Sequence, residues 1–321
     1  MQNKMKLLDL TNDYVFKRIF GRKGNEDITR GFLRAVTKVE YIDINLEDTP
    51  ILERDLIKDK MGILDVKIVA KEKNKEVREN NIDIEMQVIK SEHIAERILW
   101  YWAKLYAGSL ERGNGYNTTK KAVCILIADF KLEKLEEIEK YHTKWNIREE
   151  EYRSIILTDR LELHIIELEK LEKVNKKTKD EEELLNWCKF IKFPEKVEES
   201  IIMKNEEIKK AKEQLDKISQ DENERRLAEL REKAVRDEMA IRDSGIKEGY
   251  KKGLEDGEKK GLVVGQKIGE ERGKEKGFIE GKKNGALEEK ISIAKNMLKA
   301  NIDKNTISEL TGLTVKEIEN I

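Results

Sequence analysis

Hydrophobic and polar residues alternate in two neighbouring segments of the first hundred residues. Residues 62–69 read Gly-Ile-Leu-Asp-Val-Lys-Ile-Val, and residues 82–89 read Ile-Asp-Ile-Glu-Met-Gln-Val-Ile. This alternation predicts two β-strands, because successive side chains of a strand point to opposite faces of its sheet. Joined as a hairpin, the strands would bury their apolar residues on one face and place Asp65 beside Glu85 and Gln87 on the other.

Two carboxylates that converge at a strand edge have the chemistry of a divalent-cation site. Hard cations such as Mg²⁺ prefer oxygen ligands, and carboxylates supply them. Alternating charged residues are also typical of a strand face that simply meets solvent. The pattern alone therefore leaves both a metal site and a solvated face open.

Apolar patterns elsewhere predict the remaining elements of an α/β domain. In chain order they predict a helix capped at Thr11–Asp13 and running to about Val36, a strand near residues 53–58, the two strands above, a helix over 93–111, a buried strand over 122–128 and a strand over 161–168. The core order is thus α-β-β-β-α-β, with a last strand or two after it.

Charge and composition narrow the class of protein. Charged residues make up 41% of the chain and aromatic residues 6%, which indicates long solvated helices attached to a smaller core. The net charge of −1 gives no global basic field that would attract nucleic acid. Cys124 and Cys188 lack metal-type spacing. No signal-like or membrane-spanning apolar run is present, so we expect a cytoplasmic protein without a membrane partner.

Three segments carry a family resemblance. They are Asp-Tyr-Val-Phe-Lys-Arg-Ile-Phe at residues 13–20, Asp65 with Asp-Ile-Glu-Met-Gln at residues 83–87, and the stretch from Arg97 through Tyr101 to Tyr116. Together they resemble the recombination-promoting nuclease / putative transposase family of the PD-(D/E)XK nuclease superfamily. The resemblance covers roughly residues 7–190. It implies an α/β fold with a mixed sheet flanked by helices, followed here by a long helical, glycine-periodic C-terminal extension.

The resemblance also implies a function and a set of site residues. The protein would be a metal-dependent DNA endonuclease that hydrolyses phosphodiester bonds in recombination, mobile-element activity or defence against foreign DNA. Asp65, Glu85 and the backbone carbonyl of Met86 would hold Mg²⁺, with Mn²⁺ as a substitute, and Gln87 would orient the attacking water. Two positions depart from the superfamily pattern: Leu64, where proline is common, and Gln87, where lysine is usual.

Accessory roles are open for several residues. Asp13 or Asp83 could supply an outer carboxylate, although Asp13 fits a helix cap equally well. Lys17 could neutralise a phosphate oxygen, but its place on a helix favours a solvated side chain. Tyr101 and Tyr106 lie at helical spacing beside Trp102, which favours core packing over stacking on a substrate.

Basic residues near the predicted site could bind DNA without reading its sequence. They are Lys67, Lys90, Arg97 and Lys104. Contacts of this kind with phosphates are salt-sensitive. In a chain so rich in lysine, some clustering near any point is also expected.

Composition divides the chain near Pro194. The predicted parts are a nuclease domain at 1–194, a charged helix at 195–243, a glycine-repeat segment at 244–288 and a small helical cap at 289–321. Ile201, Ile208 and Leu215 recur at sevenfold spacing in the second part, which would suit a short coiled coil.

Glycine occupies every fourth position from Gly245 to Gly285. A glycine inside a helix costs about 1 kcal/mol, so a helical array would cost on the order of 10 kcal/mol. Close helix packing along the glycine stripe could offset this cost and would make the protein a homo-oligomer. The alternative is a charged linker encoded by a slippage-prone DNA repeat.

Residues 305–318 are similar to the opening of a helix-turn-helix. Glu317 and Glu319 would repel the phosphates of DNA, because both groups are negatively charged. The charges therefore favour a partner-binding or dimerising cap over a domain that recognises DNA. Two other functions stay open for the whole chain. One is a catalytically idle, oligomeric binding or scaffold protein, and the other is an RNA-cleaving enzyme on the same fold.

Overall fold

The computed structural model of the protein describes residues 6–47, 66–73, 79–174 and 179–321. The chain forms two compact units, Met1–Ile241 and Arg242–Ile321. Asp65 and the strand predicted near residues 53–58 lie outside the described residues. None of the described helices combines the length and the apolar character that a membrane span requires.

A mixed β-sheet forms the centre of the first unit. Among the described residues its strands are β1 (Tyr41–Leu46), β2 (Val66–Glu72), β3 (Glu79–Gln87), β4 (Lys121–Ala128), β5 (His142–Trp145) and β6 (Leu161–Glu167). Their order across the sheet is β1-β2-β3-β4-β6-β5. The β1–β2, β2–β3 and β5–β6 pairs are antiparallel, whereas β3–β4 and β4–β6 are parallel. The predicted fold class, a mixed sheet flanked by helices with a helical C-terminal extension, is confirmed.

Helices account for most of the remaining described structure. They are α1 (Asp13–Phe20), α2 (Glu26–Thr37), α3 (Ile94–Gly108), α4 (Lys179–Lys192), α5 (Glu199–Lys204), α6 (Glu206–Gln220), α7 (Glu222–Lys299), α8 (Lys304–Thr311) and α9 (Val315–Glu319). The side chain of Asn12 caps α1 by accepting hydrogen bonds from the first backbone N–H groups.

The single N-terminal helix predicted up to Val36 is wrong, because the chain breaks between α1 and α2. Gly24 has a φ of +96°, a conformation that an α-helix does not contain. Asn25 Nδ2 then donates to the carbonyl of Ile19 at 2.9 Å, and Thr29 Oγ1 contacts the carbonyl of Phe20. These bonds satisfy the carbonyls that the interrupted helix leaves open.

The two faces of the sheet carry separate apolar clusters. On one face, Ile82, Ile84 and Met86 of β3 belong to the main core together with apolar residues of α1, α2, α4 and α6. On the other face, α3 packs against β4 and β6 through a second cluster that includes Ile98 and Leu126. A strand such as β3 is therefore covered on both sides.

Helix α6 belongs to the first unit, beyond the predicted domain boundary at residue 194. Ile208 and Leu215, two of the residues at sevenfold spacing, are fully buried in the main core. A Cβ atom on Gly31 would lie 2.7 Å from Cβ of Glu207, so this glycine allows α2 and α6 to approach closely. The apolar stripe on α6 is thus explained by packing within the chain.

The second unit contains the glycine array and a small helical cluster. All eleven glycines of the array lie within α7. Apart from the adjoining residues and the nearby backbone of α7 itself, no atom of the described residues comes within 4 Å of the positions that their Cβ atoms would occupy. Ala294, Ile307, Leu313 and Ile318 form the cluster. Gly312 links α8 to α9 in the left-handed conformation, with a φ of +70°.

Candidate active site

Two acidic residues of β3 lie on the face that α3 covers. Asp83 and Glu85 alternate with Ile82, Ile84 and Met86, which belong to the main core on the opposite face. The alternation of the sequence predicts this division. The alternative prediction, that these charged residues simply meet solvent, is wrong for this strand. Asp83 is only 3% exposed and Glu85 only 4% exposed.

A cleft of about 280 Å³ opens between β2, β3 and α3 beside Asp83. The polar residues that line it include Asp83, Asn81, Lys67, Lys104 and Tyr101. Lys67 lies directly opposite Asp83 in the antiparallel pairing of β2 and β3. The cleft therefore combines a buried carboxylate with cationic side chains from a neighbouring strand and from α3, an arrangement suited to an anionic ligand and a cation together.

Glu85 forms an ion pair with Arg97, which lies in the first turns of α3. Arg97 Nη2 is 2.5 Å from Glu85 Oε1. Arg97 Nε also donates to the hydroxyl of Tyr101 at 3.3 Å, and the guanidinium carbon is 5.5 Å from the centre of the Tyr101 ring. Arg97 and Tyr101 are four residues apart, so they share one face of α3.

Three further residues were predicted to hold the metal or its water, namely Asp65, Met86 and Gln87. Asp65 lies outside the described residues, and β2 is described from the next residue, Val66, which pairs with Ile84. The side chain of Met86 is buried in the main core. Gln87 Nε2 donates to the carbonyl of Ile89 at 3.1 Å, so this amide is occupied by a local backbone contact.

Hard-cation chemistry fits the acidic pair, although the described donor set is small. In the part of the chain that the structure describes, no group of three or more His, Cys, Asp or Glu residues could hold a metal ion. Asp83 and Glu85 nevertheless present two buried carboxylates on one face of β3, and Asp83 lines the cleft. Carboxylate oxygens are the ligands that a hard divalent cation prefers, so this pair suits such an ion with further ligands.

Lys17 is buried, and its prediction as a solvated helix residue is wrong. The side chain is 5% exposed. The position of a Cβ on Gly21 would lie 3.2 Å from Cγ of Lys17 and 3.1 Å from a methyl group of Val66, which places Lys17 near the beginning of β2. Lysine is seldom buried to this degree unless its charge has a partner.

Asp13 points to a different part of the chain. Its carboxylate accepts a bidentate interaction from Arg231 of α7, with Arg231 Nη2 2.6 Å from Oδ2 and Nε 2.9 Å from Oδ1. Next to this pair, Tyr14 and Arg18 both contact Glu224. Asp13 is not part of the cleft lining, and its carboxylate links α1 to the beginning of α7.

The four basic residues predicted to bind DNA separate in the structure. Lys67 and Lys104 line the cleft, and Arg97 contacts Glu85. Lys90 instead pairs with Glu133 at 2.6 Å and lies at an apolar groove of about 400 Å³. Sequence spacing did not separate Lys90 from the others, because only the path of the chain after β3 decides which groove each residue reaches.

A histidine pair, in which His164 is buried and His142 is half-buried, was missed by sequence reasoning. His142 Nε2 lies 2.9 Å from His164 Nδ1, and His164 Nε2 lies 2.8 Å from Oε1 of Glu162. Lys121 and Lys144 pair with the same carboxylate at 2.8 and 3.0 Å. Burial and the neighbouring His164 lower the pKa of His142 to about 3. The two histidines are far apart in sequence, and only the pairing of β5 with β6 brings them together.

The family of the chain follows from a direct comparison. Residues 10–245 match the model of a family described as PD-(D/E)XK nuclease family transposase. This match covers more than two thirds of the chain. The chain belongs to the PD-(D/E)XK nuclease family transposases. Residues 287–321 match a second model, described as the C-terminal HTH domain of the Rpn/YhgA-like nuclease family. No curated protein and no solved structure matches this chain.

For a PD-(D/E)XK nuclease family transposase, these matches support nuclease-type function and DNA binding. The family predicted from residues 13–20 and 83–87 is confirmed. The matched region ends at residue 245, close to the end of the first compact unit at Ile241 rather than at Pro194. The similarity of the C-terminal residues to a helix-turn-helix is also confirmed. Nucleases of the PD-(D/E)XK superfamily usually use divalent metal ions.

Proposed function

We propose that this protein is a Mg²⁺-dependent DNA endonuclease with its catalytic centre at β3. The observation that carries the proposal is the pair of buried carboxylates, Asp83 and Glu85, on one face of β3 in a chain of a nuclease family. Asp83 lines the cleft together with Lys67 and Lys104. Glu85 is the central metal ligand of the proposal, and Asp83 is an accessory carboxylate. Recombination, mobile-element activity and defence against foreign DNA are the proposed biological settings.

Asp65 completes the proposed metal set. The described β2–β3 pairing runs to Val66 opposite Ile84. Asp65 is the preceding residue in the sequence, and the hydrophobic alternation predicts that it lies beside Glu85. The backbone carbonyl of Met86 is the further proposed oxygen ligand. A divalent cation held there, Mg²⁺ or in its place Mn²⁺, would lower the pKa of a bound water and neutralise charge on the phosphate.

The other residues of the centre act on DNA and on water. Lys67 and Lys104 bind phosphate oxygens at the cleft, so binding is insensitive to sequence and weakens with salt. Lys17, buried near the beginning of β2, supplies a further positive charge. Gln87 orients the attacking water once its amide leaves the carbonyl of Ile89.

Cleavage of supercoiled plasmid at low salt tests the proposed centre. Wild type, Glu85→Gln and Asp65→Asn are each incubated with Mg²⁺ and with EDTA. Glu79→Gln is the matched control, because Glu79 lies on the same strand but pairs with Lys120 outside the cleft lining. We expect nicking or linearisation by wild type and by the control, with metal only.

Two results would redirect the proposal. Cleavage by Glu85→Gln at the wild-type rate would remove this residue from the centre. No cleavage by a folded wild-type protein would favour the alternatives, an RNA-cleaving enzyme or a catalytically idle scaffold. The same preparations incubated with single-stranded and duplex RNA separate those two.

Self-association through the glycine array is proposed for the second unit. The array is helical and costs about 1 kcal/mol per glycine. Beyond the helix itself, no atom of the part of the chain that the structure describes lies within 4 Å of the glycine stripe. Packing against a second copy would offset this cost. Changing Gly257, Gly261 and Gly265 together to alanine should dissociate the oligomer in sedimentation, whereas Lys259→Ala should not. An unchanged sedimentation coefficient would favour the linker, in which the same alanines only stabilise a helix.

A further inference from the structure

The side chain of Glu85 has a cationic neighbour within the chain. Arg97 Nη2 lies 2.5 Å from Glu85 Oε1, and the two side chains are 21% and 6% exposed. A guanidinium stays charged throughout the accessible pH range. A carboxylate this buried is stabilised as an anion by such a contact, because water no longer solvates it.

Helix α3 holds Arg97 in this position independently of any ligand. Its Nε donates to the hydroxyl of Tyr101, one turn further along the helix, at 3.3 Å. The guanidinium carbon also lies 5.5 Å from the centre of the Tyr101 ring, within the range of a cation–π interaction. Tyr101 is itself buried in the cluster between α3 and the sheet. The guanidinium is therefore a fixed part of the centre.

We propose that Arg97 is a positioning residue that holds Glu85 in the metal-free protein and competes with the divalent cation for its carboxylate. The inference rests on the proposed function, because it takes Glu85 as a metal ligand. A cation bound to Glu85 comes close to the guanidinium, and two like charges on one carboxylate repel each other. Metal binding must therefore loosen the contact between Arg97 and Glu85.

This competition has a consequence that a merely structural contact lacks. Arg97→Gln removes the charge but keeps a polar side chain of similar length. The metal-free variant should be less stable, because Glu85 loses a buried cationic partner. At the same time the variant should bind the metal more tightly, by about tenfold, because the repulsion is gone. A residue that only supports the fold would lower stability and metal affinity together.

The experiment measures the unfolding temperature of the full-length chain as a function of MnCl₂ concentration. The variants are Arg97→Gln, Arg97→Lys and the matched control Lys134→Gln. Lys134 pairs with Glu96 of the same helix at 3.1 Å, so its removal deletes an ion pair of α3 without touching the contact to Glu85. We expect the metal concentration at half-maximal shift to fall about tenfold for Arg97→Gln and to change less than twofold for Arg97→Lys and for the control.

A double variant covers the case in which Arg97→Gln alone folds poorly. Glu85→Gln combined with Arg97→Gln removes both charges, so it should regain metal-free stability and lose the metal-dependent shift. A double variant as unstable as Arg97→Gln would overturn the inference, as would unchanged or weaker metal binding by Arg97→Gln. If wild type itself shows no shift with Mn²⁺, the proposed metal centre fails, and the competition at Glu85 fails with it.

Discussion

Asp13 gives the sharpest test of whether a residue of the first helix is catalytic or structural. Its carboxylate receives two N–H groups of Arg231, and the side chains are only 13% and 7% exposed. Asp13→Asn keeps the shape of the side chain but removes its charge. If the contact is structural, this change should destabilise the protein and leave the chemistry of the cleft unaffected.

The expected magnitude follows from the burial of the pair. Breaking a buried ion pair by removing one charge costs about 3–5 kcal/mol, because the other charge loses its partner. The pair here is at the edge of the core, so we expect about 3 kcal/mol for Asp13→Asn. For a unit of this size, that corresponds to a fall in unfolding temperature of roughly 6–12 °C.

Urea unfolding of four proteins measures the effect: wild type, Asp13→Asn, Arg231→Gln and the double variant. The double-mutant cycle should give a coupling free energy of about 2–3 kcal/mol between the two residues. Plasmid cleavage well below the unfolding temperature should stay near the wild-type rate. Cleavage lost at unchanged stability, or a coupling free energy near zero, would refute the structural role and return Asp13 to the catalytic candidates.

Three further outcomes are expected. The pKa of His142 is about 3 in the folded protein and about 6.5 in the unfolded chain, so below pH 6.5 the unfolded state binds a proton that the folded state does not. The free energy of unfolding should therefore fall by up to about 1.4 kcal/mol for each pH unit below 6.5. Urea unfolding at pH 7 and pH 5 should show a smaller loss for His142→Gln, and equal losses would contradict the pKa. Lys67→Gln and Lys104→Gln should each weaken DNA binding and reduce its salt slope by about one, as measured by fluorescence anisotropy at several salt concentrations; an unchanged slope would exclude the contact. Gly31→Val should lower the unfolding temperature by several degrees, because the added atoms meet α6, and a stable variant would show that α6 can move aside.

The sequence predicted the elements whose patterns are local. The alternation at residues 82–89 predicted β3 and its two faces, although β3 begins three residues earlier and ends two residues earlier. The apolar run at 122–128 predicted β4 within one residue. The break at Gly24 was not predicted, because the apolar spacing of a helix continues across it. Its cause is a backbone conformation, which hydrophobic spacing does not encode.

Features that depend on distant residues could not be predicted in this way. Whether Asp83 and Glu85 are solvated or buried depends on α3 folding back over their face of the sheet. The spacing of Ile208 and Leu215 predicted an apolar stripe on α6, but not that its partner is α2 of the same chain. Arg97 was predicted only as one of four basic residues that could bind DNA, since nothing in its sequence neighbourhood indicates the contact with Glu85.

The contacts of the N-terminal residues with α6 and with the beginning of α7 affect when the protein can fold during its synthesis. Asp13 and Arg231 are 218 residues apart, and Leu8 donates its backbone N–H to Ser219, which is 211 residues away. A ribosome that adds 5–20 residues per second needs roughly 10–40 s to reach these partners. The N-terminal residues are therefore made first but anchored last. The first compact unit reaches its complete fold only when nearly three quarters of the chain has been synthesised.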